Sequence, residues 1–465
     1  MKSSKYKLLF LSLTFTCCLL VTGCKKFLDE KPDIKLAVPR SIADMQALLD
    51  NSGSMNTSGS NGRSTDLPEA SSDNYQIDDE SYESLEQATR NVYIWGPEVM
   101  SSYASEIEGC WGGHYSVITP CNAILKGIED IKRTAANAAA YDNVKGSALF
   151  FRSNSFLWLV TGWSKSFNES SADQDPGIPL REDDTYNEKV TRGTVRQSYE
   201  KIINDLNVAL NLLPVKSVHP YRPSKAAVHA LLARTYLAMR KYELAATEAK
   251  SCIQLVGNNQ LLDYNTLDPL NEEPITRFNP EVIFSMESFT TTFTDETATV
   301  TADLYASYDD NDLRKTIFFY ENEDYGGHSF KGSYAGYRLF TGLALDEVYM
   351  IAAESLIRTN KAPEGIELLN NLLVKRWVTG SFTPLQSTDS SAALVLVLKE
   401  RRKELVMRNL RWMDLKRLNM EPENQVHISR TIKGITEKLE PGDPRYSFPI
   451  PLRSIQMSGL TQNPR

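Results

Sequence analysis

The clearest periodic pattern of apolar positions lies in residues 194–213. Apolar side chains recur there at steps of three and four residues, at Val195, Tyr199, Ile202, Ile203, Leu206, Ala209, Leu210 and Leu213. This spacing places them on one face of an α-helix. Thr194 occupies the N-cap position and Pro214 follows the last apolar residue, so both ends of the helix are marked. The pattern predicts an amphipathic helix that buries one face.

Two later segments share an arrangement of small and large positions. In residues 224–255 the positions are Leu232, Ala233, Tyr236, Ala245, Ala249 and Cys252, and in residues 345–377 they are Ala353, Leu356, Gly365, Leu369 and Leu372. Tetratricopeptide helix pairs use these offsets, because small residues let paired helices approach and larger residues fill the groove between pairs. With the helices expected at 141–163 and 194–213, the pattern predicts an all-α scaffold of tetratricopeptide-like helical hairpins.

Long segments between these helices lack the helical period. Residues 261–343 contain Asn, Pro, Gly and Tyr with short β-rich pieces such as Val282-Ile283-Phe284, and residues 51–65 are rich in Gly, Ser and Asn. The second segment predicts an exposed loop. Long insertions usually carry function. We therefore expect loop-rich insertions with minor β structure, and we divide the chain into an N-terminal region, 41–260, and a C-terminal region, 261–465.

The first 24 residues have the pattern of an exported lipoprotein. Lys2, Lys5 and Lys7 precede a largely apolar run of 14 residues that ends at Val21, which is too short to span a membrane. Thr22-Gly23-Cys24 then forms a bacterial lipobox, in which the cysteine is acylated. We expect a signal peptide at 1–23, lipidation at Cys24 and a tether at 24–40. Two or three acyl chains would anchor the protein stably to a membrane.

Charge and cysteine content exclude several classes of protein. Without residues 1–23 the chain keeps 48 basic and 59 acidic side chains, a net charge of about −11. This charge argues against nucleic acid as a partner, because nucleic acid binding needs a positive patch. The basic run at 399–417 contains Glu400, Glu404 and Asp414 at helical spacing, which predicts internal ion pairs. The sequence does not decide whether Cys110 and Cys121 form a disulfide. Cys252 has the spacing of a helix-packing residue.

Several blocks along the chain carry a family resemblance. They are Cys24-Lys25-Lys26-Phe27-Leu28-Asp29-Glu30-Lys31-Pro32, Trp111…Tyr115-Ser116-Val117-Ile118…Asn122, Phe151-Arg152, Gly177-Ile178-Pro179-Leu180, residues 345–354, 400–405 and 411–417, Phe448-Pro449-Ile450-Pro451, and Gln462-Asn463-Pro464. In this order they resemble the SusD/RagB family of Bacteroidetes outer-membrane lipoproteins. One departure is Arg408-Asn409, where the family commonly has Glu-Gly, and this change puts a local ion pair in doubt.

The resemblance implies a function and a location. SusD-like proteins are not enzymes; they lie on the cell surface, cap a SusC-like TonB-dependent outer-membrane transporter, and capture a glycan for import. We therefore expect a lipid-anchored, surface-exposed outer-membrane protein whose partners are an oligosaccharide and such a transporter. A peptide-binding, RagB-like member of the same family is the alternative, and a surface glycosidase is a weaker one.

Two aromatic clusters in loop-like sequence are candidates for a sugar site. A pyranose packs its C–H face on an aromatic ring, while its hydroxyls need polar side chains that replace water. Residues 73–97 and 305–337 combine both kinds of group. From them we predict ligand contacts at Trp95, Tyr325, Tyr93, Tyr75, Asn91, Tyr320 and His328, with Trp95 and Tyr325 first. Trp111 and Tyr115 match a family block on an apparent helix, so we assign them to structure.

The sequence gives little support for catalysis or for metal binding. The chain has five histidines and no GxSxG, HExxH, GxGxxG or P-loop motif. Asp309-Asp310-Asn311-Asp312 lacks the ligand spacing of an EF-hand loop, so we expect a solvated acidic turn. We predict no catalytic residue, no metal and no cofactor. A pair of glycosidase carboxylates has no fixed spacing, and this alternative therefore stays open.

Overall fold

Paired α-helices make up most of the structure, a computed structural model that describes residues 39–58, 66–96, 105–183, 190–290 and 297–465. The helices before residue 260 are α1 (Ile42–Leu49), α2 (Ser52–Met55), α3 (Leu67–Ala70), α4 (Asp79–Ser84), α5 (Gln87–Tyr93), α6 (Ser105–Gly127), α7 (Ala138–Trp163), α8 (Val195–Leu212), α9 (Lys225–Ala238) and α10 (Tyr242–Val256). Those after it are α11 (Ala302–Ala306), α12 (Arg314–Ile317), α13 (Leu345–Arg358), α14 (Ala362–Leu373), α15 (Ser390–Glu404), α16 (Arg411–Leu418) and α17 (Leu452–Ser458).

The strands are short and pair in small groups. They are β1 (Thr57–Ser58), β2 (Tyr75–Gln76), β3 (Pro176–Pro179), β4 (Arg192–Thr194), β5 (Val282–Phe284), β6 (Glu287–Ser288), β7 (Thr299–Val300), β8 (Phe319–Glu321), β9 (His328–Phe330), β10 (Leu339–Phe340), β11 (Leu343–Ala344), β12 (Ile428–Ile432) and β13 (Ile435–Leu439). Strands β1, β6 and β10 form a three-stranded sheet, whereas β2–β7, β3–β4, β5–β11, β8–β9 and β12–β13 form two-stranded pairs. The predicted minor β structure is therefore present, and it includes the strand at Val282–Phe284.

The long helices pack mostly on their neighbours in the chain. Helix α6 packs on α7, α7 on α8, α9 on α10, and α13 on α14, while α10 also packs on α13. Helix α8 begins where the sequence predicts. Thr194 is its N-cap, and the Thr194 side chain accepts a hydrogen bond from the Gln197 backbone N–H. The all-α, tetratricopeptide-like prediction is confirmed.

Small residues allow the close helix contacts that the repeat predicted. Ala245, Ala249 and Cys252 on α10 are fully buried. At Gly365 on α14, a β-carbon would lie only 2.6 Å from the carbonyl oxygen of Ala353 on α13. No larger residue fits there without separating the two helices.

Buried ion pairs hold the C-terminal helices together. Arg401 on α15 pairs with Asp414 on α16 at 2.8 Å, and Arg417 on α16 pairs with Glu354 on α13 at 2.5 Å. Burial would raise the pKa of Asp414, but Arg401 and Arg417 outweigh that effect and lower it to about 2. The basic run at 399–417 therefore forms internal ion pairs, as predicted.

The Arg408-Asn409 departure keeps an ion pair. Arg408 binds Asp346 on α13 at 2.8 Å. Asn409 adopts a left-handed backbone with φ 63°, a conformation that Gly and Asn tolerate best. Its side-chain oxygen accepts from the Glu69 N–H at 2.9 Å, and its own N–H donates to the Glu69 carboxylate at 2.8 Å. The departure therefore leaves a local ion pair in this chain, formed by Arg408 and Asp346.

Two local predictions need correction. Residues 51–58 are not an exposed loop, because Met55 is 2% exposed and the Asn56 side chain donates to the Ser285 carbonyl; residues 59–65 lie outside the described part of the chain. In the predicted acidic turn, Asp309, Asp310 and Asn311 are exposed as expected, but Asp312 is buried. Arg314 and Lys403 each bind it at 2.7 Å, and these cations compensate for its lost hydration.

The structure describes three of the six cysteines and none of the lipoprotein signal. Cys110, Cys121 and Cys252 are free and buried, so the Cys110–Cys121 disulfide that the sequence left open is not formed. Burial raises the pKa of the Cys121 thiol to about 12. Cys24 and the tether up to residue 38 lie outside the described residues. Among the helices that the structure describes, none is both long and apolar enough to cross a membrane.

Candidate functional site

A cavity of about 750 Å³ lies where the long C-terminal insertion meets the sheet β1–β6–β10. We call it the aromatic pocket. Its apolar lining comes mainly from Leu270, Phe289, Tyr320, Phe330 and Tyr337, and its polar lining mainly from Asn271, Glu272, Glu273, Lys331 and Arg338. The cavity is large enough for a small organic ligand.

Two aromatic rings of this pocket are open to solvent. Tyr337 is 75% exposed and Phe289 is 40% exposed. The Arg338 guanidinium lies 5.4 Å from the Tyr337 ring centre and 5.9 Å from the Phe289 ring centre, within the range of cation–π attraction. The two rings and the guanidinium therefore form a partly ordered surface before any ligand arrives.

Lys331 connects the two loops that form the pocket. Its ammonium donates to the carbonyl oxygens of Pro269 at 2.5 Å and Asn271 at 3.2 Å. Partial burial lowers the pKa of Lys331, because the charged form loses hydration. The contacts hold the 268–273 loop against the 331–338 loop.

Tyr334 anchors the loop that carries Tyr337. Its hydroxyl lies 2.5 Å from the Glu281 carboxyl group and 3.2 Å from Asp346, and Arg408 lies 4.9 Å from its ring centre. Burial raises the pKa of Glu281 to about 7, while Arg376 opposes the rise. The loop that carries Tyr337 is thus fixed to a buried polar cluster.

A second cavity, of about 590 Å³, adjoins the first across β7. We call it the polar pocket. Asp73, Asp303 and Arg402 line it, as does Tyr325, which is 40% exposed, and Thr299 lines both pockets. Burial would raise the pKa of Asp73, but the charges of Arg411 and Arg402 hold it well below its usual range. The carboxylates of Asp73 and Asp303 in this pocket thus already form ion pairs with arginines.

Three of the predicted ligand contacts surround an arginine instead. Tyr75, Tyr93 and Trp95 are 1%, 2% and 3% exposed, respectively. The Arg430 guanidinium lies 5.1, 3.8 and 4.7 Å from their ring centres. Trp95 also donates its indole N–H to the Ser71 carbonyl at 3.0 Å. Tyr75 and Tyr93 line the polar pocket, whereas ligand contact at Trp95 stays a prediction that its burial does not favour.

The remaining predicted contacts are divided between several places. Tyr320 is half-buried and lines the aromatic pocket, while Tyr325 lines the polar pocket. His328 lies on the Tyr305 ring with 3.4 Å between ring centres, and partial burial lowers its pKa. Asn91 is half-buried on α5. Neither His328 nor Asn91 lines either of the two pockets.

Sequence reasoning missed Phe289, Lys331 and Arg338. Phe289 directly follows β6 and begins a Thr-rich stretch, Phe289-Thr290-Thr291-Thr292. The sequence signal for a ligand contact at Phe289 was its position, an aromatic residue between a short strand and polar residues. Trp111 and Tyr115 are structural, as predicted. Trp111 is 6% exposed, and Tyr115 donates to the Pro179 carbonyl at 2.8 Å.

Comparison with known proteins identifies the family. A family model described as "Starch-binding associating with outer membrane" matches residues 26–237, and the model of the SusD family matches residues 343–465. The chain belongs to the SusD/RagB family. A SusD-like protein of Formosa agariphila is 24% identical over 90% of this chain and 92% of its own length.

Solved structures agree with the SusD fold. A SusD superfamily protein of Bacteroides thetaiotaomicron has a TM-score of 0.74 at 21% identity, covering 91% of this chain and 100% of that one. A putative sugar binding protein of Bacteroides vulgatus has a TM-score of 0.70 at 20% identity, covering 92% of this chain and 99% of that one.

This SusD-family chain forms its aromatic pocket mainly outside the family matches. The two matched segments leave residues 238–342 between them. Every residue named above for the aromatic pocket lies between 270 and 339. The two family models therefore match most of the helical scaffold, whereas most of the pocket lining comes from the segment between them and Met407 comes from the second match.

Proposed function

We propose that the protein captures an oligosaccharide in the aromatic pocket. The observation that carries this proposal is the pair of exposed rings, Tyr337 and Phe289, next to charged and amide side chains in a cavity of about 750 Å³. The C–H face of a sugar packs on such rings, and its hydroxyls exchange water for polar side chains.

Similar proteins support carbohydrate as the ligand class. The family model that matches residues 26–237 is described as starch-binding. One similar structure from Bacteroides vulgatus is a putative sugar binding protein, and another is a SusD-like carbohydrate binding protein. A neutral glycan also suits a pocket that has both Glu272–Glu273 and Lys331–Arg338 on its wall, since neither sign of charge dominates.

The protein would act in binding and delivery, without chemistry. We expect it to pass the glycan to a SusC-like TonB-dependent transporter in the outer membrane and to be anchored there through Cys24. Cys24→Ala should leave an unprocessed or soluble exported form, and protease added to whole cells should remove the wild-type protein. Recovery of correctly cleaved protein with an unmodified Cys24 would contradict the anchor.

The transporter partnership has its own test. Mild detergent extraction of native membranes, followed by affinity purification of the tagged protein, should also recover a much larger β-barrel receptor. Purification of the protein alone would contradict delivery through such a partner. Release of reducing ends from any glycan that the protein binds would contradict binding without turnover and favour the glycosidase alternative.

Binding itself is tested by titration calorimetry against a glycan panel. Hydroxyl contacts on an open surface give small net gains, so we expect micromolar or weaker dissociation constants. Tyr337→Ala should weaken binding about tenfold, because it removes a stacking ring of about 1–1.5 kcal/mol. Leu244→Ala is the matched control, since Leu244 is 47% exposed on α10 and lines neither pocket. Binding of peptides in place of glycans would favour the RagB-like alternative.

A further inference from the structure

A cluster of rings lies on the surface outside both pockets. We call it the rim platform, and it consists of His219, Tyr221, Arg277 and Phe278. The Phe278 ring centre is 4.9 Å from that of His219 and 5.2 Å from that of Tyr221, with nearly perpendicular planes in the second pair. His219 is exposed and Phe278 is 37% exposed. The platform therefore presents aromatic surface to solvent.

Buried charge holds the platform in place from below. Tyr221 donates to the Glu287 carboxylate at 2.8 Å and accepts from Arg277 at 2.7 Å. Arg277 also forms an ion pair with Glu287, which is 3% exposed, and lies 5.4 Å from the Phe278 ring centre. These contacts fix the rings before binding, which lowers the entropy that a ligand must overcome.

The Phe278 backbone has an unfavourable conformation, which the contacts around the platform stabilise. Its φ is 55°, in the left-handed region that bulky side chains seldom adopt. Such conformations persist where the surroundings determine them, and they are frequent at ligand-binding sites. Here the strained residue is the one whose ring lies at the centre of the platform.

The rim platform and the aromatic pocket are connected through shared chain segments. Glu287, which holds the platform, precedes Phe289 of the pocket by two residues on the β6 segment, and Leu339 of β10 pairs with Ser288 beside them. The loop that carries Arg277 also carries Glu273 into the pocket. Burial raises the pKa of Tyr221 to about 12 and Glu287 adds to the rise, whereas Arg277 and Arg338 oppose it. Arg338 of the pocket is thus electrostatically close to the platform.

We infer that the rim platform is a second sugar-binding subsite, which continues the aromatic pocket and takes further neutral rings of the same oligosaccharide. This inference rests on the proposed function. Phe278 offers a face for stacking, and Arg277 and His219 offer hydrogen bonds to hydroxyls. Glu287 already neutralises Arg277, so the platform does not call for an anionic ligand.

Chain length distinguishes this subsite from the pocket. The probes are size ladders, from disaccharide to octasaccharide, of maltooligosaccharides and of each other glycan that the wild type binds. Phe278→Ala should leave the affinity for disaccharides within twofold of wild type and weaken octasaccharide binding about fivefold to tenfold. His219→Ala should act in the same direction with a smaller effect. Tyr337→Ala should weaken binding at every length, and Leu244→Ala at none.

The outcomes separate the two proposals. Circular dichroism and thermal unfolding first establish that each variant is folded; if Phe278→Ala is not, His219→Ala alone decides. If Tyr337→Ala weakens binding while the platform variants match the wild type at every length, the rim platform is not a subsite. If those variants weaken disaccharide and octasaccharide binding equally, the platform is part of the pocket and the inference is also wrong. Absence of binding in every ladder overturns the proposed function and the subsite together.

Discussion

Gly365 offers a quantitative test of how the helical hairpins pack. A β-carbon at this position would lie 2.6 Å from the Ala353 carbonyl oxygen and 2.6 Å from Ile357 Cγ1. The first contact is with backbone, so Gly365→Ala requires α14 to move away from α13. Overpacking of this kind costs about 1–3 kcal/mol. Alanine gains roughly 0.5–1 kcal/mol over glycine within a helix. With mid-range values for both effects, we expect a net loss of about 1 kcal/mol in the free energy of unfolding.

Gly112→Ala is the matched control. Gly112 is also a helical glycine, on α6, but it is exposed, and apart from its chain neighbours and the backbone of its own helix no described heavy atom lies within 4 Å of its added β-carbon. The substitution changes only the helix propensity of this position, since the new methyl group meets no clash. The variant should therefore be more stable than wild type by roughly 0.5–1 kcal/mol. The two substitutions are chemically identical and differ only in the space around the new methyl group.

Equilibrium urea unfolding, followed by far-ultraviolet circular dichroism, measures both variants. The midpoint should fall for Gly365→Ala and rise for Gly112→Ala, with the dependence on urea unchanged. If Gly365→Ala unfolds at the wild-type midpoint or above it while Gly112→Ala behaves as expected, the helices are not in the close contact described here.

Three further predictions concern buried polar groups. Arg430→Met should lower the free energy of unfolding by about 2–4 kcal/mol, because the Ser72 and Tyr93 carbonyls lose their donor. An unchanged urea midpoint would contradict these hydrogen bonds of Arg430. Tyr334→Phe should lower it by about 1–2 kcal/mol, since Glu281 loses a hydroxyl partner; equal stability would refute that contact. Burial raises the pKa of Glu69 to about 7, so the folded state retains a proton that the unfolded state releases. Its contribution to stability is therefore lost as the pH rises from about 4.5 to 7. Glu69→Gln should remove this loss, and parallel pH profiles for variant and wild type would contradict it.

The sequence predicts the scaffold because local signals determine it. Helix α8 has a full apolar period and a capping Thr194, and both lie within one short segment. The small positions Ala245, Ala249 and Gly365 follow the tetratricopeptide offsets for the same reason. Such signals depend on neighbours three or four residues away, and one chain is enough to recognise them.

The site could be predicted only in part, because burial depends on distant residues. Trp95 and Tyr93 have loop-like neighbours in sequence, yet Arg430 reaches them from more than 300 residues away and makes them part of the core. Asp312 has the sequence of a solvated turn, but Arg314 and Lys403 enclose it. Phe289 and Tyr337 become one surface only when β6 pairs with β10. No local pattern contains that pairing.

A crystal structure of the protein with the oligosaccharide that binds it best tests the central claim most directly. The account predicts a sugar ring within van der Waals distance of Tyr337 and Phe289, with hydroxyls bonded to the polar side chains of the aromatic pocket. An oligosaccharide located elsewhere, for example only against Tyr325 in the polar pocket, would contradict the proposed site.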